Sequence, residues 1–226
     1  MNNQEVRAQG LNKFYSKIYA FLAMGVGISA LVSYLSLTVF NYQVASFINN
    51  FPLGFVGLWI VEIALVFVLG MKAQKNPSLA IGGFIAYSLI NGLTLAVTLS
   101  MYTKGTVTAA FVTSAAMFVG MSAIGMFTKK DLSGIGRAGY SALIGIILAI
   151  LLNTFILHSS PVDFFISILM VIIFSGITAY DNQNIRNIYF QTNGTANNGV
   201  AVFMALQLYL DFINLFLAFL RIFGRD

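Results

Sequence analysis

Ionisable and amide side chains set inside long apolar runs are where this chain could do chemistry. The last such run, Val200–Phe223, reads VAVFMALQLYLDFINLFLAFLRIF and carries Asp211 near its middle. Gln207, Asp211, Asn214 and Arg221 recur at i, i+4, i+7 and i+14, with small Ala218 between, so a helix lines them along one side. A carboxylate facing acyl chains costs several kcal/mol, and this stripe must therefore face protein or water. Glu62 lies deep in a second apolar run, and Asp181 closes a third after Ala179-Tyr180. Ser88, Asn91, Thr94 and Thr98 share one helical face of a fourth, a pattern suited to hydrogen bonds between helices. Asp181, Asp211, Glu62 and the Asn214 amide offer oxygens of the type that hard cations take, too few for a tight cage.

The elements that position these groups must be membrane helices. The chain has 226 residues, 58% hydrophobic and only 8% charged, against roughly 25% charged in globular domains. One integral membrane domain over residues 1–226 accounts for that deficit. Cysteine is absent, which excludes disulfides and thiolate metal sites, and one histidine, His158, excludes multi-histidine centres. The net charge of +5 sits singly at the ends of apolar runs, so it reports membrane topology rather than a nucleic-acid partner. The first apolar run is longer than a signal peptide's core and is expected to remain as a helix.

Seven runs of roughly 17 to 24 residues are long enough to span: Ile18–Phe40, Gly54–Met71, Leu79–Met101, Thr106–Phe127, Ala138–Leu157, Phe164–Tyr180 and Val200–Phe223. The fold class is all-α and polytopic, with the polar-seamed C-terminal helix inside a wall built by the other six. With the N-terminus in the cytoplasm, Arg7, Lys13, Lys17, Lys72, Lys75, Lys129, Lys130, Arg137 and Arg186 gather inside, and only Lys104, Arg221 and Arg225 fall outside. That is a positive-inside bias. Seven crossings place the C-terminus outside, while Arg221 and Arg225 leave a re-entrant seventh segment open. Asp131 or Ser133 is expected to cap the fifth segment, Asp163 suits the start of the sixth, and a polar inner loop is expected after Gln183.

Two stretches resemble a known family. Ala179-Tyr180-Asp181-Asn182-Gln183-Asn184-Ile185 and Leu208-Tyr209-Leu210-Asp211-Phe212-Ile213-Asn214-Leu215-Phe216 are similar to the Bax inhibitor-1 (transmembrane Bax inhibitor motif) family, as are Lys129-Lys130-Asp131-Leu132-Ser133 and Asn91-Gly92-Leu93-Thr94-Leu95. The layout, without long extensions, looks like bacterial members. The resemblance implies a bundle of six helices around the C-terminal one. It also implies a pH-sensitive calcium leak in a bacterial cytoplasmic membrane, with calcium ions and protons as partners and no cofactor. Asp181 and Asp211 match the aspartate pair that senses pH, and transient calcium would meet the same carboxyls. Lys72 is nearest to a basic gate partner that is more often arginine, and a lysine cannot form arginine's bidentate fork. Glu62 matches an acidic residue of the second helix.

Two carboxyls in one low-dielectric site cannot both ionise cheaply, so such a pair titrates as a unit and can switch with pH without a histidine. Two other readings are weighed. An interaction protein that modulates membrane partners without transport is compatible with the same residues. An intramembrane aspartyl protease would share Tyr180-Asp181 but requires Gly-x-Gly-Asp where this chain has Leu208-Tyr209-Leu210-Asp211. No enzymatic activity is therefore expected.

Overall fold

The computed structural model describes residues 3–225, and side chains throughout that range except at residues 3, 4, 6, 52, 53 and 55. Among the described residues the chain is all-helical. The helices are α1 (Asn3–Thr38), α2 (Asn41–Asn50), α3 (Pro52–Lys72), α4 (Pro77–Leu99), α5 (Lys104–Phe127), α6 (Ser133–Leu152), α7 (Ser160–Gln191) and α8 (Asn198–Phe223), with a π-helical turn, Asn153–Leu157, after α6. Six of them, α1 and α4 to α8, are long and apolar enough to cross a membrane. The expected second span falls in α3, which is 21 residues long.

The chain divides into two compact units. One comprises Met1–Tyr102 and Gln191–Leu206, the other Thr103–Phe190 and Gln207–Asp226. In the first, small residues let α1 and α4 approach. Gly25 lies under the Phe84 ring, and a Cβ on Gly92 would sit 2.8 Å from the Ser29 carbonyl oxygen. The Ser29 hydroxyl donates to the Ser88 carbonyl at 2.7 Å, the hydrogen-bonding use of serine expected where no water competes. Asn76 caps α4 by accepting from the Leu79 amide at 3.0 Å, and Pro77 opens the first turn, where its missing N–H costs nothing. The start of α8 is held in the same unit. Asn197 accepts from Val200 N at 3.0 Å and donates to the Gln74 carbonyl at 2.8 Å, while Lys17 donates to Asn198 Oδ1.

In the second unit α7 is the organising helix. Gly136 and Gly139 of α6 pack against the Tyr180 ring and Ile177, and Gly125 of α5 lies against the Ala179 backbone. The rings of Phe212 and Phe216 in α8 meet Phe111 edge-on at 5.7 and 6.2 Å, and Phe118 meets Phe212 at 5.8 Å. These offset geometries suit the aromatic quadrupole. Arg225, just past α8, lies over the Phe164 ring at 4.6 Å, a cation–π contact for a cation at a helix end.

Three expected boundaries move. The sixth segment does not stop at Tyr180; α7 continues to Gln191, and the expected polar loop shrinks to the residues between α7 and α8. The reason is that its polar residues find partners both within the helix and on neighbouring elements of the same unit. Asn182 donates to the Thr178 carbonyl at 2.8 Å and to Ser122 Oγ at 3.0 Å. Gln183 accepts from Leu132 N at 2.8 Å and donates to the Lys130 carbonyl at 2.7 Å. The loop expected between the first two spans contains α2, and the first helix begins well before Ile18.

At the head of α6, Asp131 accepts from Ser133 N at 2.9 Å and Ser133 Oγ at 2.5 Å. Those bonds, the hydroxyl's first, hold its exposed carboxyl below the usual carboxylate range, with a smaller contribution from Arg137. The link is complete above that range and is lost as pH falls through the lowered value. Asp163 accepts from Asn153 Nδ2 at 2.6 Å, which ties the π-helical turn to the start of α7.

Gln183→Ala tests the clamp on the turn between α5 and α6. It leaves the Leu132 amide, in a buried residue, without its acceptor, so a loss of roughly 2–3 kcal/mol is expected. Denaturant titration of the detergent-solubilised protein reads this directly. An unchanged midpoint would show that the turn holds itself.

Candidate functional site

Continuation of α7 to Gln191 decides where Asp181 lies. It is ten residues from the end of that helix, or ~15 Å along the axis, and so sits well inside it instead of at the terminus expected from the sequence. Asp181 is 2% exposed and Asp211 3%. The two carboxyls belong to one compact unit. They are unequal. Asp181 accepts from the Tyr140 hydroxyl with both oxygens, at 3.0 and 3.1 Å. Asp211 Oδ2 is buried and has no hydrogen-bond partner among the described residues.

Tyr140 was not legible as a site residue. It lies on α6, the blandest apolar segment, 41 residues before Asp181. Its ring meets Tyr180 edge-on at 6.3 Å, which orients the hydroxyl toward the carboxylate.

The rest of the α8 stripe is graded. Asp211 and Ala218 are buried, Gln207 and Asn214 half-buried, and Arg221 exposed in the last turn. Gln207 Oε1, one turn before Asp211, is a second buried acceptor without a donor among the described residues. Asn214 donates to its own helix, at the Leu210 carbonyl, 2.8 Å away.

Glu62 belongs to the other unit. Its Oε1 accepts from Asn91 Nδ2 at 3.1 Å and Thr94 Oγ1 at 3.0 Å. The carboxyl deep in α3 is thereby satisfied by the polar face of α4, the face expected to make interhelical hydrogen bonds. Lys72 occupies the last turn of α3 and is exposed, suited to the carbonyl end of that helix. Among the described residues no group of three or more His, Cys, Asp or Glu side chains could hold a metal ion.

Comparison with known proteins agrees with this architecture. The family described as "Inhibitor of apoptosis-promoting Bax1" matches residues 11–226. An uncharacterized membrane protein of Streptococcus pyogenes serotype M1 is 48% identical over 229 residues, covering 100% of both chains. The protein YrjE of Lactococcus lactis subsp. lactis is 44% identical over 228 residues, 99% of this chain and 97% of its own. The inner membrane protein YbhL of Escherichia coli K12 is 39% identical over 220 residues, 96% of this chain and 93% of its own. The matches run over nearly the whole length, and two of these three relatives are named as membrane proteins, which accords with the apolar helices. The chain belongs to the Bax inhibitor family of membrane proteins.

Proposed function

We propose that this protein is a pH-gated leak path for calcium in a bacterial cytoplasmic membrane, switched by a proton shared between Asp181 and Asp211. The observation that carries the reading is the inequality of the two carboxyls. One is held by a tyrosine hydroxyl, while the other presents a buried oxygen with no donor, in line with a second orphan acceptor at Gln207. Buried acceptors without donors are rare and call for an explanation. A proton on the pair supplies the missing donor at low pH. A hard cation supplies the missing charge when both carboxyls are ionised.

In this reading the protonated pair ties α7 to α8 and keeps the path closed. Ionisation of both groups loosens the tie and admits calcium, with the Asn214 amide as a further oxygen donor. The protein performs no covalent chemistry. Burial along both halves of α8 supports placing it inside a bundle of seven crossings, with the N-terminus in the cytoplasm and the C-terminus outside. Reporter fusions at the two ends are expected to give opposite signals. Cytoplasmic signals from both would show that α8 does not cross.

Calcium flux into liposomes holding the purified full chain tests the function. A protein-dependent flux that rises with pH is expected. No flux at any pH would leave a membrane interaction protein as the better reading.

A further inference from the structure

The short helix α2 is too short to span, since ten residues reach only ~15 Å. Its side chains nevertheless sort cleanly. Val44, Phe47 and Ile48 fall on one arc, while Gln43, Ser46 and Asn50 fall on the other. No residue of α2 is buried. Phe47 is 43% exposed, and the flanking Phe40 and Phe51 are 48% and 62% exposed. The helix is nonetheless anchored. The Phe47 ring lies over Gly54 in the first turn of α3 and 5.8 Å from the Phe51 ring, which holds α2 at the joint between α1 and α3.

Two further observations say what covers the apolar arc. The adjoining helices likewise expose apolar and aromatic residues, Leu31 and Tyr34 on α1 and Trp59 and Ile60 on α3, as a membrane protein does toward lipid. No charged residue occurs between Lys17 and Glu62, so the segment offers nothing to an anionic headgroup beyond dipoles and hydrogen bonds. Tyrosine and tryptophan at this level suit the boundary between headgroups and chains.

We propose that α2 lies in the plane of the membrane interface, its Val44–Phe47–Ile48 arc in the acyl boundary and its amides among the headgroups. The lipid surface it binds is recognised through apolar area, not charge. An interfacial helix of this kind anchors the connection between two spans and fixes its depth.

The chain contains no cysteine, so one introduced thiol reports only its own position. Val44→Cys, Phe47→Cys, Ile48→Cys, Gln43→Cys, Ser46→Cys and Asn50→Cys are each spin-labelled and reconstituted as the full chain. The vesicles are phosphatidylcholine, with or without one part phosphatidylglycerol. The ratio of collisions with oxygen to collisions with a nickel chelate is expected to be roughly threefold or more higher on the apolar arc, and the same in both vesicles. Val44→Cys and Ile48→Cys carry the test should Phe47→Cys fail to fold. A ratio flat around the helix, with nickel reaching every position, would place α2 in water and overturn the proposal. An apolar arc closed to both reagents would show it covered by protein, such as a second copy of the chain. A contrast that appears only with phosphatidylglycerol would make the recognition electrostatic.

Discussion

Asp211→Asn is expected to flatten the pH dependence of calcium flux in liposomes while leaving the protein folded, and Asp181→Asn is expected to do the same through the other half of the pair. Asparagine keeps the planar shape and the hydrogen-bonding capacity of each carboxyl and removes only the charge. Two unit charges brought to about 4 Å would repel by roughly 4 kcal/mol at an effective dielectric constant near 20. Each 1.4 kcal/mol of such a difference is worth about tenfold in an equilibrium. A wild-type flux that changes by an order of magnitude or more across the titration is therefore in scale, against a change within about twofold for either variant. The sign follows from the tie. One shared proton holds α7 to α8 at lower pH, and the tie fails as pH climbs and both groups ionise.

The two variants should differ in one respect. Asp181→Asn keeps a partner in the Tyr140 hydroxyl, which can donate to the amide oxygen as it does to the carboxylate. Asp211→Asn replaces an oxygen that has no donor among the described residues by an N–H donor, one helical turn from the Gln207 Oε1 that also has none, and it is expected to be the better tolerated in thermal unfolding. Wild-type pH profiles in both variants would show that the aspartates are not the sensor. Glu62 would then be the carboxyl to replace.

The second large effect is structural. Gly125→Ala is expected to cost several kcal/mol of stability, where Gly120→Ala in the same helix costs nothing measurable. A Cβ at Gly125 would fall inside contact distance of the Ala179 carbonyl oxygen and 2.9 Å from Asn182 Cβ. The first is backbone and the second a helix-bound carbon, and neither can swing aside. Separating α5 from α7 would break the Asn182 to Ser122 bond of 3.0 Å between two buried side chains. Overpacking costs about 1–3 kcal/mol, and the lost buried hydrogen bond about 0.5–1.5 kcal/mol more. A Cβ at Gly120 meets nothing within 4 Å, and alanine is the better helix former by about 1 kcal/mol. Thermal unfolding in one detergent compares the pair. Coincident transitions would mean that the close approach at Ala179 is not what holds α5 on α7. The variant also bears on the site, because Ala179 and Asn182 bracket Asp181.

The legible part of the candidate site was the part written in helical periodicity. Asp211 in a run of otherwise apolar residues, with Gln207 one turn away, had to turn from lipid, and Asp211 is indeed buried. The hydrogen-bonding face of α4 was legible for the same reason, since Asn91 and Thr94 stand three residues apart. Arg221 shows the limit of the rule. It shares the stripe by spacing yet is exposed, because periodicity gives a face and not a depth.

What the sequence determined by itself was the class and the cost. Low charge, long apolar runs and carboxyls within them require membrane helices, and require those carboxyls to be kept from lipid whatever the packing. What only the tertiary structure decided was who meets whom. Tyr140 reaches Asp181 across 41 residues, and Asn91 and Thr94 reach Glu62 across 29 and 32. The end of α7 was likewise decided by partners elsewhere in the chain, since Asn182 and Gln183 read as loop residues until Ser122 and the turn at Lys130–Leu132 satisfy them. The physical reason is one of range. Hydropathy and helical spacing act over a few residues, whereas the pairing of buried polar groups depends on where helices cross. Those crossings are set here by single glycines, such as Gly125 and Gly136, that let one helix come close to another.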